Sequence, residues 1–133
     1  MTTHGTLSDA PDYLAPDGSQ IRLAGEIAGV GSLCEVTLPP GATASPVRHR
    51  TVQELWLCVS GQGQVWRAAH DAEGDTIDVR KGVWLTLPLG IRFQFRNTGT
   101  GPLRFVAATV PPWPEHNEGA AEEAVPATGP WPT

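Results

Sequence analysis

Long apolar runs are missing from this chain. No stretch of its 133 residues approaches the roughly 20 consecutive apolar residues that a membrane-spanning helix needs. Charge is sparse as well, at 17 % of residues, and leans negative: nine Lys and Arg against fourteen Asp and Glu, a net charge of −5. An acidic surface repels a phosphate backbone, so neither nucleic acid nor a membrane is an expected partner. Only two cysteines occur, Cys34 and Cys58, both inside apolar strand patterns. That usage suits buried reduced thiols better than a disulfide framework. The opening residues, MTTHGTLSDAPDYLAPDG, lack a basic start followed by an apolar core, so no secretory signal is expected and the chain is read as cytoplasmic. A helix-period apolar stripe is also wanting. The weak one over residues 118–124 is undercut by its glycine, its acidic pairs and nearby prolines.

What the chain does have is turns. Thirteen Pro and fifteen Gly accompany 40 % hydrophobic residues, a globular balance divided into many short segments. Apolar alternation runs from Gln20, over residues 32–38, 55–59, 64–69, 76–79 and 83–87, then cleanly over 91–96, and last over 103–110. Gly- or Pro-bearing turns interrupt these runs at regular spacing. The class this predicts is all-β: a single domain that is a sandwich or small barrel. Residues 1–19 are expected to be a mostly loose N-terminal arm, 20–112 the β-barrel, and 113–133 a Pro-rich acidic tail. Trp113 and Trp131 within that tail suggest that it packs on the barrel or on a partner subunit.

Chemistry concentrates in residues 41–61, GATASPVRHRTVQELWLCVSG, where His49 and Glu54 stand at the entrance of an apolar strand. Burying an imidazole and a carboxylate there is costly unless both are paired or bound. Gly41, His49, Glu54 and Gly61 keep the register of one glycine- and histidine-bearing block, and Gly82, Pro88, Gly90 and Asn97 keep that of a second. In both blocks the chain resembles the cupin family. The resemblance covers about residues 20–112 and implies a cupin-type double-stranded β-helix, a jelly-roll barrel. Family members with three histidines and a glutamate hold Mn, Fe, Ni, Zn or Cu. Here Val47 and Phe93 stand at two of the histidine positions, which leaves His49 and Glu54 as the only metal ligands the motif supplies. No cofactor is therefore favoured, and a divalent transition metal at His49 and Glu54 requires a further ligand, with His116, His70 and His4 as the available imidazoles.

Strand parity directs Val47, His49, Glu54, Trp56, Cys58, Ile91, Phe93 and Phe95 inward, and places Arg92, Gln94 and Arg96 on the opposite face, solvated or at a subunit contact. An apolar pocket holding one imidazole and one carboxyl suits a small organic ligand. The expectation is a small metabolite-binding cupin, acting as a metal-independent isomerase, dehydratase or cyclase with His49 and Glu54 as its catalytic pair. Two other readings stand beside it: a non-catalytic binding or sensing module, and a metal-dependent cupin oxygenase with atypical ligands. The resemblance also implies a homodimer formed by pairing edge strands.

Overall fold

A computed structural model of the protein describes residues 4–114 and 123–133. Among them are eleven strands, with helical backbone only at Glu123, in the order β1 (Tyr13–Leu14), β2 (Gln20–Ile27), β3 (Gly31–Leu38), β4 (Val47–His49), β5 (Gln53–Ser60), β6 (Gln62–Ala68), β7 (Asp75–Arg80), β8 (Trp84–Leu87), β9 (Arg92–Asn97), β10 (Leu103–Val110) and β11 (Ala124–Pro126). They form two antiparallel sheets, one ordered β1-β2-β3-β10-β5-β8 and the other β11-β4-β9-β6-β7. From β3 to β6 and again from β7 to β11, successive strands alternate between the two sheets, as in a jelly roll. The all-β reading therefore holds.

Alternation decides which side chains fill the space between the sheets. On β5 Trp56 and Cys58 are buried while Leu55 and Leu57 stay exposed, and on β10 Leu103, Phe105, Ala107 and Thr109 all face inward. The centre is aromatic: Trp56 meets Phe105 at 4.7 Å and Phe95 at 5.1 Å between ring centroids, with Phe95 edge-on to Phe105 at 5.9 Å. Edge-on pairs of this kind add about 0.5–1.5 kcal/mol beyond the area they bury. The turn from β5 to β6 is a single residue, Gly61, with φ of 86°. A Cβ there would run into the Pro102 carbonyl and come within 2.8 Å of the Leu103 Cα, so only glycine serves. Asn97, the last position of the second block, has a structural task. Its amide donates to the carbonyls of Leu38 (2.9 Å) and Gly101 (2.8 Å), and its side-chain oxygen accepts from Gly99 N at 2.9 Å.

Two expectations change, those of a loose arm and of a solvated Gln94, and the tail is seen in detail. The arm is not loose where it matters: Tyr13 and Leu14 form β1, in register with Ile21 and Gln20, and Asp17 O accepts from Ser45 N at 2.9 Å. The tail adds a strand to the second sheet, with Ala124 opposite His49 and Pro126 opposite Val47. Gln94 is not solvated but has zero exposure. Its amide donates to Ala44 O and Trp131 O and accepts from Trp131 N, at 3.0, 2.8 and 3.0 Å, while Arg96 stacks 4.2 Å over the Trp131 ring. The tail thus covers the outer face on which parity had placed these polar side chains. The weak helical stripe at 118–124 and His116 fall largely or wholly in 115–122, outside the described residues; Ala124 begins β11.

Glu123 fastens this covering strand. Its buried carboxylate accepts from Thr51 N (2.7 Å), Thr51 Oγ1 (2.7 Å) and Val52 N (2.8 Å), and its carbonyl accepts from Arg50 N at 2.9 Å. The β4–β5 corner gets its backbone partners from the tail. Glu123→Ala strands those donors, so we expect the unfolding free energy measured in urea to fall by about 3 kcal/mol. A fall of less than about 1 kcal/mol would show that the corner holds without the tail.

Candidate functional site

His49 ends β4 in one sheet and Glu54 is the second residue of β5 in the other, with the clamped corner between them. Four residues of chain thereby bring an imidazole and a carboxyl together across one mouth of the barrel. Their Nδ1 and Oε1 atoms lie 3.3 Å apart, and both side chains are buried. The other carboxyl oxygen, Oε2, accepts from Thr109 Oγ1 on β10 at 2.8 Å. Aromatic edges fix the imidazole, with Phe93 at 5.2 Å and Trp113 at 5.1 Å between centroids. The Trp56 indole N–H is turned toward the Glu54 carboxyl and favours its ionised form, yet stops short of a full hydrogen bond and is left buried without a partner.

Burial disfavours charge on both members of the pair. It pushes Glu54 up to about 7, against the opposing pull of the Thr109 hydroxyl and the Trp56 indole, with Asp17 and Glu123 adding to the rise. It pushes His49 down to about 4, the nearby Glu123 working the other way. At neutral pH the imidazole is uncharged and the carboxyl is poised between its two forms.

The pair opens on a cavity of about 50 Å³, room for a few water molecules or a very compact ligand. Its far side is built from the arm and the first hairpin: Tyr13, Asp17, Ile21, Cys34 and Val36, with Trp113 beside His49. No Lys or Arg is among its lining residues. Asp17 is another acid there whose pKa burial raises, although Ser19 N and Ser19 Oγ donate to its carboxylate at 2.9 and 2.6 Å. The Cys34 thiol is pushed up to about 12 by burial, with Glu54 adding to it, and is no nucleophile.

Of the inward residues named from sequence, His49, Glu54, Trp56 and Phe93 border this cavity. Val47, Cys58 and Phe95 are packed deeper in the core, and Ile91 lies against that core half-buried; none of the four reaches the cavity. Both cysteines are free thiols. Sequence reasoning passed over Thr109, Asp17, Tyr13 and Trp113. Thr109 had a signal, a hydroxyl in the inward phase of an otherwise apolar strand; the other three reach the site only through the path of the arm and tail. The metal donor set does not fill out. Val47 and Phe93 face each other across β4 and β9, and among the described residues no three His, Cys, Asp or Glu side chains gather to hold an ion. His70 is exposed and paired with Asp71 at 3.2 Å, and His4 is exposed.

Comparison with known proteins agrees with this architecture. A family model described as "Cupin domain" matches residues 34–111. An uncharacterized protein of Methanocaldococcus jannaschii is 29 % identical over 105 residues, covering 76 % of this chain and 80 % of that one. Among solved structures, the capsular polysaccharide assembling protein CapF of Staphylococcus aureus superposes with a TM-score of 0.64 at 19 % identity over 73 % of this chain. Oxalate decarboxylase of Bacillus subtilis superposes with 0.64 at 20 % identity over 75 %. The chain spans only 29 % and 27 % of those two proteins, so the likeness is one of fold. No helix among the described residues is long and apolar enough to cross a membrane.

The two buried titrations pull stability in opposite directions. His49, depressed on folding, makes stability rise with pH from about 4 to 6.5, whereas Glu54, raised on folding, makes it fall from about 4.5 to 7. Each displacement is worth about 3 kcal/mol. Relative to the unaltered protein, His49→Gln should therefore lose stability as pH rises through its window, and Glu54→Gln should gain it. Urea unfolding at intervals between pH 4 and 7.5 measures both, and parallel profiles for the two variants would contradict the assignment.

Proposed function

Because the chain belongs to the cupin family, with residues 34–111 matching the family's domain, we propose that it binds a small uncharged organic metabolite beside His49 and Glu54 and acts on it by proton transfer. Isomerisation, dehydration and cyclisation are the reaction types this chemistry serves. The observation that carries the reading is the 3.3 Å approach of a neutral imidazole to a carboxyl that burial holds near 7. A group titrating near the working pH is present as both acid and base, the condition under which general acid–base catalysis is most effective.

The unpartnered Trp56 N–H supplies a donor for a ligand oxygen. A carbonyl held there has its adjacent C–H made more acidic. Glu54 in its ionised form, beside the neutral imidazole of His49, takes that proton and returns it to another atom of the same molecule, so no electrons leave the ligand and no co-reactant is needed. Thr109 keeps Oε2 occupied, which leaves the Oε1 side, shared with His49, for the transfer. In a dehydration the same proton leaves with the departing hydroxyl as water.

The lining also sets a charge preference. A carboxylate ligand meets Glu54 and Asp17 with no Lys or Arg among the lining residues to offset them. Two like charges at about 4 Å cost about 4 kcal/mol at an effective dielectric of 20. Acids such as the oxalate named for the decarboxylase are therefore poor candidates here.

A non-catalytic binding or sensing module is the second reading, favoured by the fact that both Glu54 oxygens already have protein partners, His49 and Thr109. The metal-dependent oxygenase reading needs a further donor gathered with His49 and Glu54, and among the described residues no such group of three forms; no step is routed through a metal here.

Thermal-shift and ligand-observed NMR titrations with acetamide and acetone against acetate and oxalate test the charge preference. The neutral probes should bind and the acids should not; tighter binding of acetate than of acetamide would reverse the conclusion. Once a turned-over ligand is found, His49→Ala and Glu54→Ala should each lower kcat at least about 100-fold. Turnover indifferent to both changes ends the acid–base reading. Metal analysis should find less than about a tenth of an equivalent of transition metal per chain, the ligand count being short of the three protein ligands usual at a catalytic zinc; a full equivalent would favour the oxygenase reading.

A further inference from the structure

The cavity beside His49 and Glu54 is too small for most organic molecules. It measures about 50 Å³, whereas an apolar cavity of about 150 Å³ is needed to admit a benzene ring. A second space, of about 240 Å³, lies against it. Tyr13, Leu23, Ser32, Leu33 and Trp113 line both. Beyond these shared residues the outer space is a groove bounded by Ala24, Gly25, Glu26 and Pro114.

A break in the β2–β3 ladder makes this groove. Leu23 pairs with Cys34 and Glu26 with Ser32, so Ala24 and Gly25 of β2 together oppose Leu33 of β3. An extra residue of this kind bends its strand and re-aims the neighbouring side chains. Here it lies at the rim of the mouth, where Leu23 and Leu33 stay exposed. Gly25 has no positive φ, and nothing stands within 4 Å of the place a Cβ would take. Neither backbone nor packing calls for glycine there, and the missing side chain keeps that part of the groove open. Trp113 is fixed where the two spaces meet: its backbone N–H donates to Ser32 Oγ at 2.9 Å, and its ring meets His49 at 5.1 Å between centroids.

We propose that the ligand has two parts: an uncharged carbonyl head beside Glu54 and Trp56, and an uncharged apolar tail, a phenyl ring or short alkyl chain, in the outer groove. The head placement is that of the acid–base reading, on which this inference rests; the tail and its groove are new. Size argues for the division. The inner cavity holds a head of about four heavy atoms, and the groove exceeds what a ring needs. Lining argues for the chemistry of the tail. Leu23, Ala24, Leu33 and Pro114 offer apolar surface, and Tyr13 and Trp113 offer aromatic surface. Glu26 is the one charged residue lining the groove, and no Lys or Arg stands there to receive an anionic tail. Its own pull on a cation is weak, because it is exposed and solvated. A small head has little area to bind by, while each methylene buried in the groove adds about fourfold in affinity. The groove, not the His49–Glu54 pair, therefore selects among ligands that share the head.

Three ketones with one head test this by titration of the full ¹⁵N-labelled chain: acetone, benzylacetone with its phenyl tail, and levulinate, whose tail ends in a carboxylate. Acetone and benzylacetone should both move the Trp56 indole N–H signal, and benzylacetone should also move the amide signals of Ala24 and Gly25. Benzylacetone should bind at least about 30-fold more tightly than acetone, and levulinate no more tightly than acetone. The double variant Ala24→Trp, Gly25→Trp puts bulk on both extra-residue positions that line the groove, and should cut the benzylacetone-to-acetone ratio below about threefold. Both positions are exposed, and an otherwise unchanged ¹⁵N spectrum confirms that the variant folds. If neither ketone moves the indole signal, the head placement fails and the tail with it. If both move it but bind alike, or if the ratio survives the double variant, the groove proposal is overturned while the head placement stands. Levulinate binding as tightly as benzylacetone overturns the uncharged tail.

Discussion

Carboxyl groups buried at one mouth of the barrel set the terms for everything around them. Asp17, Glu54 and Glu123 are each taken out of water, and each is held by hydrogen-bond donors: Ser19 for the first, Thr109 for the second, Thr51 and Val52 for the third. Burial without such donors would cost several kcal/mol per group. The three differ in how far this goes. Glu123 accepts three bonds and acts as a clamp, whereas Glu54 has a hydroxyl, a neutral imidazole and an unsatisfied indole nearby and is left close to its own titration point. The same physical constraint yields a structural carboxylate at one position and a reactive one at the next.

The segments that flank the family's domain do more than extend it. Arm and tail together close the mouth, Tyr13 and Asp17 from one side and Trp113 and the Glu123 strand from the other. The low dielectric that inverts the pKa order of His49 and Glu54 is a consequence of that closure. The site is therefore a property of the whole chain, although the pair itself lies within residues 34–111.

Likeness of fold does not carry chemistry with it. The superposed proteins share the barrel at about one fifth identity, while the cavity here is lined mainly by apolar side chains with Asp17 and Glu54 among them, and Val47 and Phe93 stand at histidine positions of the motif. Fold follows from turns and alternation, which many sequences satisfy; chemistry follows from a few side chains, which here are different ones.

Much of the barrel was legible in the residues themselves. Alternation located eight strands, because an inward apolar phase of period two is what a sheet over a core requires, and the glycines and prolines marked its corners because few residues tolerate the backbone there, as Gly61 illustrates. The nearness of His49 to Glu54 was legible too, from their place in one block at the entrance of a buried strand. What alternation could not tell was which outward face stays wet. Gln94 and Leu57 have the same outward phase, yet the tail seals Gln94 in with hydrogen bonds while Leu57 is left bare beside Trp84. Thr109, Asp17 and Trp113 joined the site only through long-range contacts of β10, arm and tail. The sequence by itself determined an all-β barrel with a His49–Glu54 pair at its mouth. Only the tertiary structure decided that the pair is enclosed, with a neutral imidazole beside a carboxyl held near 7, because enclosure depends on where distant segments cross the opening, and local patterns hold no record of that.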